Sequence, residues 1–293
     1  MTMPARKSRV PTTRLGRLVR LGFTVGELAV GGAIEGVRRI SSVDPADAVN
    51  VFLTPANARK LAKRLSGMRG AAMKMGQILS MESADFLPRE FVDALAVLRD
   101  SANSMPHSQI RRLMGREYGK GWESKFEHFD FEPVAAASIG QVHRVLTKDG
   151  RDLALKIQYP GVAKSINSDV DNMAMLLRMV KILPIEMDIS GIIAEAKRQL
   201  QQEADYNIEA NYLRDYRKLV QDEERFVVPR VHDDLTTKRI LAMDFVSGVP
   251  LESLGEDGVE QKVRDSVGTL LERLLFSELF EFRTMQSDPN FAN

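Results

Sequence analysis

Cysteine is absent from the 293 residues, which removes disulfides, thiolate metal sites and cysteine nucleophiles from consideration. Histidine is scarce: His107, His128, His143 and His232 lie scattered, without the spacing of a metal site. Charge of one sign is not in excess, and a net charge of +1 gives no basis for a nucleic-acid partner. Uninterrupted apolar runs are missing as well. The longest semi-apolar stretch, LGFTVGELAVGGAIEGV from Leu21, is broken by Glu27 and Glu35 and falls short of the roughly 20 residues of a spanning helix. No small-residue cleavage site follows it, so it does not read as a signal peptide. Acids are absent before Glu27, whereas Arg6, Lys7, Arg9, Arg14, Arg17 and Arg20 precede it. Such an arm suits an anionic membrane surface; the plainer alternative is an unstructured arm leading into a packing helix.

What remains is an ordinary globular composition, 44% apolar and 28% charged, with length for one to two domains. Residues 1–55 form the arm and its first helix. From Lys60 the pattern is helical, with Leu61, Leu65, Met68, Ala72, Met75 and Leu79 on one stripe. Pro88 opens REFVDALAVLRD, and a further helix starts near Ser108. The period changes near Pro133, where two strands are expected, joined by a turn at Lys148-Asp149-Gly150. Helices are expected over 165–183 and 190–220, then a second strand pair, FVVPRV and KRILAMDFV. A long amphipathic helix over Gln261–Phe282 leads into MQSDPNFAN. The boundaries expected are 1–55, a helical extension over 56–130, a sheet-bearing lobe over 131–250, and 251–293.

Five stretches carry chemistry. AAASIGQV aligns its end with a nucleotide-binding G-x-G-x-x-G-x-V loop: Gly140 and Val142 match, and Ala135 and Ala137 replace the first two glycines. Small residues here (Ala135, Ala136, Ala137, Ser138) let backbone N–H groups approach phosphate, and alanine makes the loop stiffer than glycine would. Fourteen residues past Val142, Lys156 sits inside the apolar strand LALKIQY and so needs an anionic partner or a route to water. QLQQEADYNIEANY offers Glu203, Asp205 and Glu209. On one straight helix Asp205 and Glu209 share a face, and Glu203 points about 200° away from Asp205, so either Glu203 or the Asp205/Glu209 face pairs with Lys156. KRILAMDFVSG has the form of a strand and hinge, with Asp244 to Val246 offering backbone groups to an adenine edge. Finally, Asp288 and Asn293 have the spacing of the kinase catalytic-loop Asp and metal-binding Asn, with Gln286-Ser287 in place of His-Arg.

With KMGQ (Lys74 to Gln77), the combination AAASIGQVH, EADYNIEANY and MQSDPNFAN closely resembles the UbiB-type atypical kinase family, over about residues 55–293. The resemblance implies an α+β, protein-kinase-like fold: an antiparallel N-lobe sheet with helices, an N-terminal helical extension over the cleft, and most of the C-lobe missing. It makes Lys156 the nucleotide lysine, Glu203 and Asp205 the E-x-D acids, Glu209 a further acid, Asp288 the catalytic Asp and Asn293 a metal ligand. Lys74 and Gln77 share one helix face and are free to point into an acidic pocket. ATP and Mg²⁺ are the cofactors implied, with the second metal ligand, a D-F-G Asp, absent from the 293 residues. The expected function is an ATP-binding atypical kinase or ATPase supporting isoprenoid-quinone or lipid metabolism, with an anionic membrane surface and a prenyl lipid as partners. The expected location is cytoplasmic and peripheral to a membrane, and the chain is expected to be a truncated form. The alternative is a non-catalytic, pseudokinase-like scaffold binding nucleotide or lipid. A conventional Ser/Thr kinase is disfavoured by the alanines and the missing His-Arg.

Overall fold

The computed structural model describes residues 70–72, 74, 104–179, 188–256 and 258–286. The arm, the Leu61–Leu79 stripe apart from its Ala72, the REFVDALAVLRD helix, Gln77, Asp288 and Asn293 lie outside the described residues. Residues 70–72 and Lys74 are helical.

Helix α1 (His107–Glu117) starts after Pro106, whose lack of an N–H costs nothing at a helix entry. Its apolar face (Ile110, Leu113, Met114) is buried, and a 3-10 turn over Trp122–Lys125 follows. The sheet has five strands: β1 (Phe126–Phe129), β2 (Ala135–Ala136), β3 (Gly140–Thr147), β4 (Asp152–Gln158) and β5 (Ile240–Asp244). All pairings are antiparallel in the order β1-β3-β4-β5, and β2 also pairs with β3. The sheet thus begins at Phe126, a few residues ahead of the boundary read from the period change. The β3–β4 turn falls where Asp149-Gly150 placed it, with Gly150 at φ 85°. The partner expected for β5 in FVVPRV is reduced to a single bridge, Val231 to Met243. Pro229 interrupts that stretch and cannot donate to a ladder.

Alternation gives the sheet two unlike faces. One face carries Val145, Leu153, Leu155, Ile157, Ile240 and Ala242, which pack with α1, Trp122 and Phe126 into the main core. Trp122, Phe126 and Phe129 meet edge to face, with centroids 5.3–6.0 Å apart. The other face carries a cross-strand row, Val142–Lys156–Leu241, and beside it Arg144–Ala154–Met243.

Helix α2 (Val162–Met179) packs on α3 (Ser190–Glu203), and α4 (Tyr206–Leu219) packs on β5. The single helix expected over 190–220 is therefore broken. Ala204 closes α3, and the Asp205 carboxylate caps α4 by accepting the Asn207 N–H at 3.2 Å. The last helix is α-helical only over α5 (Gln261–Phe276). A π-helical segment, Ser277–Phe282, carries it on. Leu275, Phe276, Leu279 and Phe280 of this stretch are exposed, whereas Ser277 and Glu278 are buried.

Candidate nucleotide site

The Ala-rich stretch is a tight hairpin. Ala135 pairs with Val142, Ala136 pairs with Gln141, and the Ala137 N–H donates to the Gly140 carbonyl at 2.9 Å. Its tip folds inward: Ile139 is buried and its carbonyl accepts the Tyr159 N–H at 2.8 Å. Gly140 is needed for what lies beneath it. A Cβ there would stand 2.5 Å from the Ile157 carbonyl oxygen and 2.8 Å from the Tyr206 hydroxyl. Tyr206 is fully buried and its hydroxyl has no hydrogen-bond partner among the described residues; burial pushes this phenol well above its ordinary pKa, so it keeps its proton.

Lys156 stands on the opposite side of β4 from Leu155, over the Tyr206 ring at 5.2 Å. Its Nζ is 2.6 Å from Glu209 Oε1, with both side chains partly accessible (21% and 30%). The helix break resolves the choice among three acids. Glu209, one turn inside α4, takes Lys156. Glu203, at the end of α3, takes Lys74 Nζ at 3.2 Å through Oε1 and the Ser138 hydroxyl at 2.9 Å through Oε2. One carboxylate thus joins the extension helix to the tip of the Ala-rich hairpin. Gly70, on that same helix, lies against the tip so closely that a Cβ would come within 2.6 Å of the Ile139 side chain. Asp205 joins neither pair. Besides its cap it holds Lys238 at 3.0 Å, so it does not share a face with Glu209 as a straight helix requires.

At Asp244 the side chain and the N–H are both engaged within the protein. Its parity puts the side chain on the core side, where it accepts His232 Nε2–H at 2.7 Å and the Arg230 N–H at 3.0 Å. Arg151 donates to His232 Nδ1 at 3.1 Å, which fixes that tautomer. The Asp244 N–H is donated to the Arg230 carbonyl and the Phe245 N–H to the Asp152 carbonyl, both at 3.0 Å. Neither N–H remains for an adenine edge. Val246 is exposed, and Met243 lies on the Lys156 side of the strand.

Among the described residues, no group of three or more His, Cys, Asp or Glu is placed to hold a metal ion. No described helix is long and apolar enough to cross a membrane. One buried contact escaped sequence reading. Tyr216 on α4 donates to Glu278 Oε1 at 2.6 Å, and the Gln286 N–H reaches the same oxygen at 3.3 Å. Its only sequence signal is an acid at a position that α-helical periodicity does not mark.

An antiparallel sheet with a lysine at mid-strand, ion-paired to a helix acid beside a small-residue hairpin, defines a kinase-like N-lobe. The ABC1 atypical kinase-like domain matches residues 97–293. The chain belongs to that family of atypical kinases, the UbiB group. It is similar to the mitochondrial atypical kinase coq-8 of Caenorhabditis elegans, 39% identical over 98% of this chain and 38% of that one. It is similar also to mitochondrial COQ8 of Saccharomyces cerevisiae (35%, covering 98% and 57%) and mitochondrial COQ8B of Rattus norvegicus (39%, covering 99% and 55%). The chain thus spans 38–57% of the length of these relatives. Among solved structures it resembles the Rv3197–erythromycin complex from Mycobacterium tuberculosis, with a TM-score of 0.55 and 33% identity, covering 85% of this chain and 63% of that one.

Proposed function

We propose that this chain is the nucleotide-binding part of an atypical kinase or ATPase that supports isoprenoid-quinone metabolism at a membrane surface. The observation that carries the reading is the Lys156–Glu209 pair, 2.6 Å apart and still open to solvent, on the same sheet face as Val142, Ala154 and Met243. A lysine oriented this way is suited to meet nucleotide phosphates. A base would lie against the small Ala154 and the apolar Val142 and Met243 of that face, with Val246 at its edge. The residues present therefore fit a nucleotide. Bound ATP would supply the phosphoryl group. Lys156 would hold its phosphates, Glu209 would orient Lys156, and the Ala135–Gly140 hairpin would cover them. Asp288 and Asn293, which would hold Mg²⁺ in this reading, lie outside the described residues.

Support for the quinone and membrane parts comes from the mitochondrial COQ8 relatives and from the basic arm before Glu27. Stabilisation by Mg²⁺-nucleotide tests the core of the reading: the melting temperature should rise in the wild type and stay unmoved in Lys156→Ala. An equal rise in both removes Lys156 as a phosphate contact. Deleting residues 1–20 should weaken binding to anionic liposomes, most clearly at low salt; unchanged binding removes the arm from the reading.

A second reading, a nucleotide-binding scaffold without turnover, is favoured by one observation. Glu203 ties Lys74 of the extension to Ser138 at the hairpin tip, which restrains the element that has to close over phosphates. Nucleotide-induced stabilisation without any ATP hydrolysis would select it.

A further inference from the structure

Helix α4 makes two buried or half-buried side-chain contacts along one face. Glu209 in its first turn holds Lys156. Tyr216 lies seven residues on, two turns along and within about 20° of the same face. Its hydroxyl donates to Glu278, a carboxylate only 6% exposed in the π-helical segment. No cation pairs with Glu278 among the described residues. A buried carboxylate then depends on its hydrogen-bond donors. Two of these are Tyr216 and the Gln286 N–H, and Gln286 stands two residues before Asp288. The Glu278 carbonyl accepts the N–H groups of Arg283 and Thr284, the latter at 3.0 Å, with Arg283 in the left-handed region at φ 53°. The chain leaving the helix is thus folded back onto Glu278 through three backbone donors.

We infer that Glu278 is a positioning residue: with Tyr216 it fixes the approach to the Asp288 loop and ties that approach to the helix that holds Lys156. It supplies a support of the kind that the absent His-Arg of the loop would otherwise provide. The inference rests on the reading of Asp288 as catalytic, but its geometry does not depend on nucleotide. The Tyr216 phenol is held protonated, well above its usual range, by burial and by the neighbouring carboxylate, as a permanent donor requires.

Amide hydrogen exchange of the whole chain, resolved at Arg283, Thr284 and Gln286, tests it. In Glu278→Ala the Gln286 amide should exchange about tenfold faster, whereas Glu278→Gln, which keeps an acceptor, should restore most of the protection. Tyr216→Phe, which removes one oxygen and no packing volume, should also speed Gln286. In all three the exchange of the Glu209 turn and the Mg²⁺-nucleotide stabilisation should stay as in the wild type. Where hydrolysis is measured, kcat should fall with KM unchanged. Unaltered Gln286 exchange in both Glu278→Ala and Tyr216→Phe overturns the inference. Absent nucleotide stabilisation in the wild type would overturn the functional proposal instead, and leave the exchange result to stand.

Discussion

Leu155 and Lys156 are neighbours in one strand, and they belong to two different molecular surfaces. Leu155 is completely buried among the core residues packed by α1 and Trp122. Lys156 is about one-fifth exposed and touches one carboxylate and one ring. Polar groups obey the same division. On the core face the Met105 N–H donates to Gln141 Oε1, Gln141 Nε2 meets His143 Nε2, and His143 Nδ1–H donates to the Asp130 carbonyl. That chain is closed within the protein and leaves nothing for a ligand. On the other face the ion pair stays in reach of solvent, and the hairpin beside it is latched by a carboxylate at its tip. Buried and fully satisfied polar groups specify a fold; accessible, paired charges are the ones a ligand can enlist.

The contrast breaks most visibly at the core. Leu155→Ala should cost about 2–5 kcal/mol in urea unfolding, because its neighbours are a closed aromatic and aliphatic set. Gly140→Ala comes next, at about 1–3 kcal/mol, since the new methyl meets the Ile157 backbone and the Tyr206 hydroxyl. Retained stability in Gly140→Ala would mean that the glycine serves the approach of a ligand rather than the packing beneath it.

Much of this was legible in the sequence where a local rule acts alone. Asp149-Gly150 marked the β3–β4 turn, and a lysine in an apolar strand marked the face that carries the ion pair with Glu209. The acids were harder: three candidates on an assumed straight helix could not be separated, because the cap at Asp205 resets the helical phase between Glu203 and Glu209. The hinge backbone raised a related difficulty. Asp244 to Val246 looked open to an adenine edge, yet the Asp244 and Phe245 N–H groups are donated to the Arg230 and Asp152 carbonyls, a pairing that no local rule marks. The strand over Phe126–Phe129 and the Glu278 contact rest on tertiary pairing and on a π-helical turn, and neither leaves a periodic trace.

The pH dependence sharpens the comparison at a smaller scale. His143 has its pKa lowered by burial, against the opposing pull of the Asp130 carbonyl and the nearby Asp130 and Glu132 charges, with His107 adding to the lowering. A group depressed in this way binds its proton more weakly folded than unfolded. Stability is therefore full above the ordinary value of 6.5 and falls as pH drops below it toward the folded value. The slope for one proton is at most about 1.4 kcal/mol per pH unit. Unfolding midpoints of wild type and His143→Gln between neutral and mildly acidic pH should diverge, the variant being flatter; parallel curves would assign the acid sensitivity elsewhere.

The smallest effect is expected at Lys156 in the absence of nucleotide. The pair with Glu209 is short but partly exposed, so solvent screens it, and Lys156→Ala should cost about 1 kcal/mol or less in urea unfolding. Set beside Leu155→Ala, one strand position apart, that small cost would separate Lys156 from the core, as the proposed ligand role requires. A loss as large as that of Leu155→Ala would instead make Lys156 a structural clamp on α4, and the ion pair would then read as part of the fold rather than as the site.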